Sequence, residues 1–211
     1  MKLQIAFDLI DLDKALSIAA DTESYADIFE VGSLLIYKHG DHAIKQFKEK
    51  FPRKPILADA KIVDRSKDAV TLFAQAGADW ITVMAGAGKN VIHTACTIAH
   101  ELGKKIMLDL ADASSLGQSA LEAKSLGADA LLFHKPTEED EQLLFADRWE
   151  MVRGNTTLSI FISAPITRET IAELLSIGAS GIVIGNAISR SDNPQQEAAY
   201  FASIMGRRSA L

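Results

Sequence analysis

Gly77-Ala78-Asp79-Trp80-Ile81-Thr82-Val83-Met84 is the stretch whose reading decides the fold. The glycine ends an amphipathic segment in a left-handed cap, the aspartate turns the chain, and the apolar, β-branched run that follows reads as a buried strand. The same punctuation returns as Tyr25-Ala26-Asp27, Gly127-Ala128-Asp129 and Gly178-Ala179-Ser180. The closing residues stand at 27, 79, 129 and 180, a period of about 51 residues that covers nearly the whole chain in four turns.

Each period holds two short strands. The apolar runs predict strands at 3–8, 28–31, 55–59, 80–84, 105–110, 130–134, 158–163 and 181–185. Amphipathic segments lie between them, among them 41–50, with apolar Ala43, Ile44 and Phe47, and 66–76 and 91–102. Strands that alternate with helices must pair in parallel, because every return connection crosses over, and strands apolar on both faces suit a sheet covered by helices. Eight units of about 25 residues, with no linker or low-complexity run, predict one α/β domain over 1–211, a (β/α)8 TIM barrel. An open doubly wound sheet holds the same count, but the even period and lack of long insertions favour closure.

The 211 residues carry 22 Lys and Arg against 28 Asp and Glu, a formal charge of −6, with 48% hydrophobic residues. An acidic chain without a basic block has no electrostatic footprint for nucleic acid or an anionic membrane. No apolar run approaches the length that spans a bilayer, and Asp8 interrupts the N-terminus before a secretory apolar region forms. Cys96, in a helical pattern beside Ala95 and Ile98, reads as a buried small hydrophobe and not a catalytic thiol. These features predict a reduced, cytoplasmic protein.

In a barrel of this kind the chemistry belongs at the C-terminal strand ends. Those ends carry Asp8, Glu30, Asp59 with Lys61, Asp109, His134, Ser163 and Gly185. One acid at a strand end is commonly a helix cap, but five ends bearing Asp, Glu or His on one rim exceed what capping explains. The densest group is Asp59-Ala60-Lys61-Ile62-Val63-Asp64. In an extended strand residues 59 and 61 point the same way, so a carboxylate and an ammonium flank one site. Paired in this way the lysine stays protonated, which suits it to stabilising an anion and not to forming a Schiff base. Asp64 lies past the strand, where it can lean over from a loop or reach a neighbouring subunit. His39, His42, His93 and His100 read as solvated helix residues, Glu138 to Glu141 as an exposed acidic stretch, and Trp80 and Trp149 as packing.

Along its whole length the chain resembles the orotidine-monophosphate decarboxylase suprafamily, and within it the 3-hexulose-6-phosphate synthase and 3-keto-L-gulonate-6-phosphate decarboxylase branch. The resemblance is carried by Leu3-Gln4-Ile5-Ala6-Phe7-Asp8, Phe29-Glu30-Val31-Gly32-Ser33, Leu57-Ala58-Asp59-Ala60-Lys61-Ile62-Val63-Asp64, residues 76–83 and Ile182-Val183-Ile184-Gly185. The Asp-x-Lys-x-x-Asp motif is common to the suprafamily, while Glu30-Val31-Gly32-Ser33 and His134 point to the metal-using branch.

The resemblance implies a carbon–carbon lyase in which Glu30 and Asp59 hold Mg²⁺. Lys61 and the ion would stabilise a 1,2-enediolate, His134 would move the proton, and Asp8 would position substrate hydroxyls. Asp64 would enter the partner's site in a homodimer with shared active sites. Asp109, Thr137, Ser163, Gly185 and Asn186 would contact a sugar phosphate. Asp109 and Thr137 resemble the synthase, which removes a C1 proton from D-ribulose 5-phosphate and adds formaldehyde, whereas Lys135 is closer to the decarboxylase. A sugar-phosphate-binding relative without catalysis is the reading from another class. One departure stands out: where the family has a Gly-Gly pair after strand 7 to receive phosphate, this chain has Ser163-Ala164-Pro165-Ile166-Thr167. Proline has no N–H, and alanine adds a Cβ where backbone must approach closely.

Overall fold

The repeated aspartates turn out to be clamps between neighbouring strands. In the computed structural model, which describes residues 1–134 and 145–206, Asp27 Oδ2 accepts the Leu3 N–H at 2.7 Å, Asp79 Oδ2 that of Ile56 at 2.9 Å, and Asp129 Oδ2 that of Ile106 at 2.8 Å. Ser180 Oγ does the same for Ile160 at 3.2 Å. Each of the four also donates its own N–H to the carbonyl of the residue it holds. The glycines two positions earlier, Gly77, Gly127 and Gly178, have φ of 103°, 99° and 79°, the left-handed caps that the repeat predicts.

The clamps set the N-terminal face of a closed barrel. Its strands are β1 (Lys2–Phe7), β2 (Ile28–Val31), β3 (Ile56–Ile62), β4 (Trp80–Met84), β5 (Lys105–Asp109), β6 (Ala130–His134), β7 (Ser159–Ser163) and β8 (Gly181–Ile184). They pair in chain order, all parallel, and β8 returns to β1. The described helices are α1 (Leu12–Thr22), α2 (Ser33–His39), α3 (Asp41–Lys50), α4 (Ser66–Gln75), α5 (Lys89–Glu101), α6 (Leu116–Leu126), α7 (Phe145–Arg153), α8 (Ile171–Ser176), α9 (Asn186–Ser189) and α10 (Pro194–Ile204). The (β/α)8 expectation is met, and seven strands end within a residue of their predicted limit. β3 runs three residues further, to Ile62, for a reason that concerns the site.

Two apolar layers hold the barrel. Outward-facing strand residues and the inner faces of the helices form the larger, in which Phe29 meets Phe7 and Phe51 edge-to-face and Phe47 packs tilted against Phe7 and Phe51. The smaller fills the barrel interior with Ala6, Ile28, Leu57, Met107, Ala130, Leu132, Phe161 and Val183. Phe161 fits there because Gly181 opposite it has no Cβ; one added would collide with the ring. Trp149 packs in the outer layer against Phe133, and Cys96 is buried, its thiol pushed up to about 12 by desolvation, as a structural cysteine should be. Among the described residues no helix is long and apolar enough to cross a membrane.

Candidate active site

A cavity of about 530 Å³ opens at the C-terminal ends of the strands. Asp8, Glu30, Asp59, Lys61 and His134 face it from β1, β2, β3 and β6, and Ser163, Ala164 and Pro165 line it beside Gly185 and Asn186. Four of the strand ends therefore deliver five ionisable groups to one space. Asp8 can lie against the next strand because Gly32 has no Cβ there; one would overlap the Asp8 carboxylate and crowd the Phe7 carbonyl.

Lys61 is the centre of the charge network. Its ammonium donates to Asp109 Oδ2 at 2.8 Å and lies 3.3 Å from Asp59 Oδ1. Burial alone would depress it, but the Asp59 and Asp109 carboxylates outweigh that and hold it well above its ordinary value, so it is a permanent cation. The pairing of Asp59 and Lys61 follows the sequence expectation by a different route. Lys61 is not extended but left-handed, with φ 46°, and the β3–β4 register shifts across it, so a bulge and not strand alternation brings the two groups together.

Asp109 was expected against substrate, but it does not line the cavity: it is fully buried behind Lys61 and His134. Its Oδ1 accepts the Ala111 N–H at 2.9 Å, and Oδ2 lies 3.2 Å from His134 Nδ1. Burial pushes this carboxyl up, but the His134 hydrogen bond and the Lys61 charge prevail and hold it below the usual range, hence ionised. A carboxylate only accepts, so the proton between them sits on His134 Nδ1 and Nε2 is left to exchange protons with a ligand.

The opposite wall is acidic. Burial, and after it the negative charge of Asp59 and Asp8, drives the Glu30 carboxyl well above the ordinary range. Asp8 is raised for the same reasons, burial first and Asp59 second. Among the described residues no three metal-ligating side chains converge on one point. Two hard carboxylates, Glu30 and Asp59, nevertheless suit Mg²⁺, which commonly takes one or two protein carboxylates and completes its shell with water and substrate oxygens.

Three polar residues in this shell belong to the quoted stretches, but the sequence assigns them no role. The Gln4 amide donates to Glu30 Oε2 at 2.6 Å, Ser33 Oγ donates to Asp59 Oδ2 at 2.6 Å, and Thr82 Oγ1 donates to Asp59 Oδ1 at 3.0 Å. Gln4 carries a signal, being an amide amid an apolar strand; Thr82 carries none, because threonine is an ordinary strand residue. Asp64 is exposed and outside the cavity of its own chain, beside Arg65 and Lys67. Thr137, Lys135 and the acidic stretch from Glu138 to Glu141 lie outside the described residues. Of the helical histidines, His100 pairs with Asp129 at 3.0 Å and His39 with the Ile10 carbonyl, both away from the cavity.

Barrel and site together define the class: the chain belongs to the orotidine 5'-phosphate decarboxylase / HUMPS family, whose profile matches residues 1–201. A 3-hexulose-6-phosphate synthase of Staphylococcus aureus is 29% identical over 202 residues, covering 94% of this chain and 95% of that protein. The crystal structure of 3-hexulose-6-phosphate synthase from Salmonella typhimurium matches with a TM-score of 0.91 and 29% identity over 97% of this chain and 98% of that one. That of 3-keto-L-gulonate-6-phosphate decarboxylase from Vibrio cholerae matches with a TM-score of 0.83 and 26% identity over 97% of each chain.

Proposed function

We propose that this enzyme, a carbon–carbon lyase, is a 3-hexulose-6-phosphate synthase that condenses formaldehyde with D-ribulose 5-phosphate through a 1,2-enediolate. The observation that carries the reading is the Lys61–Asp109–His134 chain at one wall of the cavity. His134, with Nδ1 held by Asp109, accepts the C1 proton at Nε2. The charge that develops on the sugar oxygens meets the Lys61 ammonium, already oriented by two carboxylates, so little reorganisation is needed as the proton leaves. Glu30 and Asp59 would hold Mg²⁺, whose chemistry when bound is Lewis-acid polarisation of neighbouring substrate oxygens. Asp8 faces the same space and orients substrate hydroxyls. The phosphate lies toward Ser163, Gly185 and Asn186, after the two strands whose loops commonly receive it in barrels.

The same enediolate chemistry serves decarboxylation, and the likeness to the Vibrio cholerae decarboxylase keeps that reaction as the second reading. A homodimer with shared sites is part of the proposal. Its support is Asp64, exposed beyond β3, with Val63, Leu34, Tyr37 and Ile10 forming exposed apolar surface on the loops and helix after β1, β2 and β3.

Formaldehyde consumption with D-ribulose 5-phosphate and Mg²⁺, measured beside CO2 release from 3-keto-L-gulonate 6-phosphate, tests the assignment. Formaldehyde loss without CO2 release is the expected result. CO2 release alone would move the enzyme to the decarboxylase, and silence in both with measurable sugar-phosphate binding would leave a binding protein.

A further inference from the structure

β3 enters its pairing with β4 residue for residue, Leu57 opposite Trp80 and Ala58 opposite Ile81. The next pair is Ile62 with Val83, so Asp59, Ala60 and Lys61 share a single partner, Thr82. Extra residues in one strand lose their ladder partners, and a backbone N–H left without one is costly when buried. The bulge also places Lys61 at φ 46°, where a residue with a side chain stays only if its surroundings hold it.

Thr82 supplies that hold. Its hydroxyl accepts the Lys61 N–H at 2.9 Å and donates its one proton to Asp59 Oδ1 at 3.0 Å. The residue is fully buried, so water does not compete for either bond. It does not line the cavity. A single hydroxyl thus bonds the backbone of the lysine and the side chain of the aspartate in the same bulge. Asp59 has a second anchor in Ser33, whereas no other side chain bonds the Lys61 N–H among the described residues. We infer that Thr82 is a positioning residue, whose hydroxyl locks the three-residue bulge so that the Lys61 ammonium and the Asp59 carboxylate face one point.

The inference rests on reading Asp59 and Lys61 as the working pair, and its test has an arm that needs no turnover. Thr82→Val keeps the branched shape and removes both bonds; Thr82→Ser keeps the hydroxyl. Misplacing an aligned group by about an ångström costs up to about 100-fold, so Thr82→Val should lower kcat roughly 10- to 100-fold. KM for D-ribulose 5-phosphate should change less than about threefold, because substrate contacts are intact. Thr82→Ser should recover most of kcat. Crystal structures should show Lys61 out of the left-handed region, or its ammonium off Asp109, in Thr82→Val and in place in Thr82→Ser. Should Thr82→Val not fold, Thr82→Ala removes the same hydroxyl without setting a methyl against Asp59. Wild-type kcat in the variant lacking the hydroxyl, equal impairment in Thr82→Ser, or an unmoved Lys61 would each overturn the inference. If the wild type neither consumes formaldehyde nor releases CO2, the functional reading falls by itself and the crystal structures alone decide the role of Thr82.

Discussion

Glu30 sits inside the barrel with the Gln4 amide donating to it and the charges of Asp59 and Asp8 beside it. Burial and like charge both disfavour its ionised form, so in metal-free protein at neutral pH this carboxylate works against folding. Glu30→Gln keeps an acceptor for Gln4 and removes the charge. The metal-free variant should melt at least about 2 °C higher than wild type, the shift that about 1 kcal/mol gives in a domain of this size. Mg²⁺ should raise the melting temperature of wild type and leave the variant unmoved. Thermal melts with chelator and with Mg²⁺ check both, and a lower metal-free midpoint for the variant would refute the account. The loop after β7 makes a second case at this scale. Pro165 lines the cavity but has no N–H, and a charge-assisted hydrogen bond to phosphate contributes roughly 1.5–3 kcal/mol. Replacing Ala164 and Pro165 with glycine should therefore lower KM for D-ribulose 5-phosphate by about tenfold or more, with little change in kcat. An unchanged KM would mean that Ser163, Asn186 or Arg190, whose charge reaches Asp8, already supplies the contact.

The strand-to-strand clamp is the element on which the barrel's bottom face is built, and Asp79 is its most heavily charged example. Asp79 accepts the Ile56 N–H, takes Lys48 at 2.8 Å and has Lys104 at 3.4 Å. Burial raises its carboxyl, but Lys48 and the Ile56 N–H outweigh that and lower it below 3.8. A depressed carboxyl stabilises the fold at any pH above its unfolded value and loses that contribution as the pH falls through the folded one. Asp79→Asn keeps an acceptor and loses the charge, so with partial exposure discounted it should cost about 1 kcal/mol at pH 7, or about 2–4 °C. The gap between variant and wild type should narrow as the pH falls below 3.8 and vanish below the folded value. A melting series across pH checks this, and a cost that is constant with pH would contradict it. These clamps were legible as turns in the repeat, because glycine caps and Asp turns are local chemistry. Their cross-strand bonds were not, because the partner lies 20 to 24 residues earlier in the chain.

At the scale of the whole molecule the residue that tests the assembly is Asp64. It shares a motif with Asp59 and Lys61, yet it is exposed and does not line the cavity those residues face. In a dimer with shared sites, a Lys61→Ala chain mixed with an Asp64→Ala chain would form heterodimers that each carry one intact site. Each variant alone should be inactive, and after subunit exchange the mixture should regain a fraction of wild-type turnover, set by the share of heterodimer. Activity assays with exchange followed by native mass spectrometry check the expectation. No recovery despite demonstrated exchange, or a chain that stays monomeric, would place Asp64 outside the chemistry.

Much of this protein could be read in one dimension. The period of about 51 residues, the β-branched runs and the glycine caps determine the strand count and the parallel sense and favour closure, because each is a local or periodic property. The rim of Asp8, Glu30, Asp59, Lys61 and His134 follows from those strands, since all parallel strands end on one face. Register and burial belong to the tertiary structure alone. Closure sets Thr82 opposite three residues, buries Asp109 as the link between Lys61 and His134, and aims Gln4 at Glu30. Those contacts join residues 21 to 48 positions apart, and the bulge that makes the first of them is held by one buried hydroxyl whose residue type is ordinary in any strand.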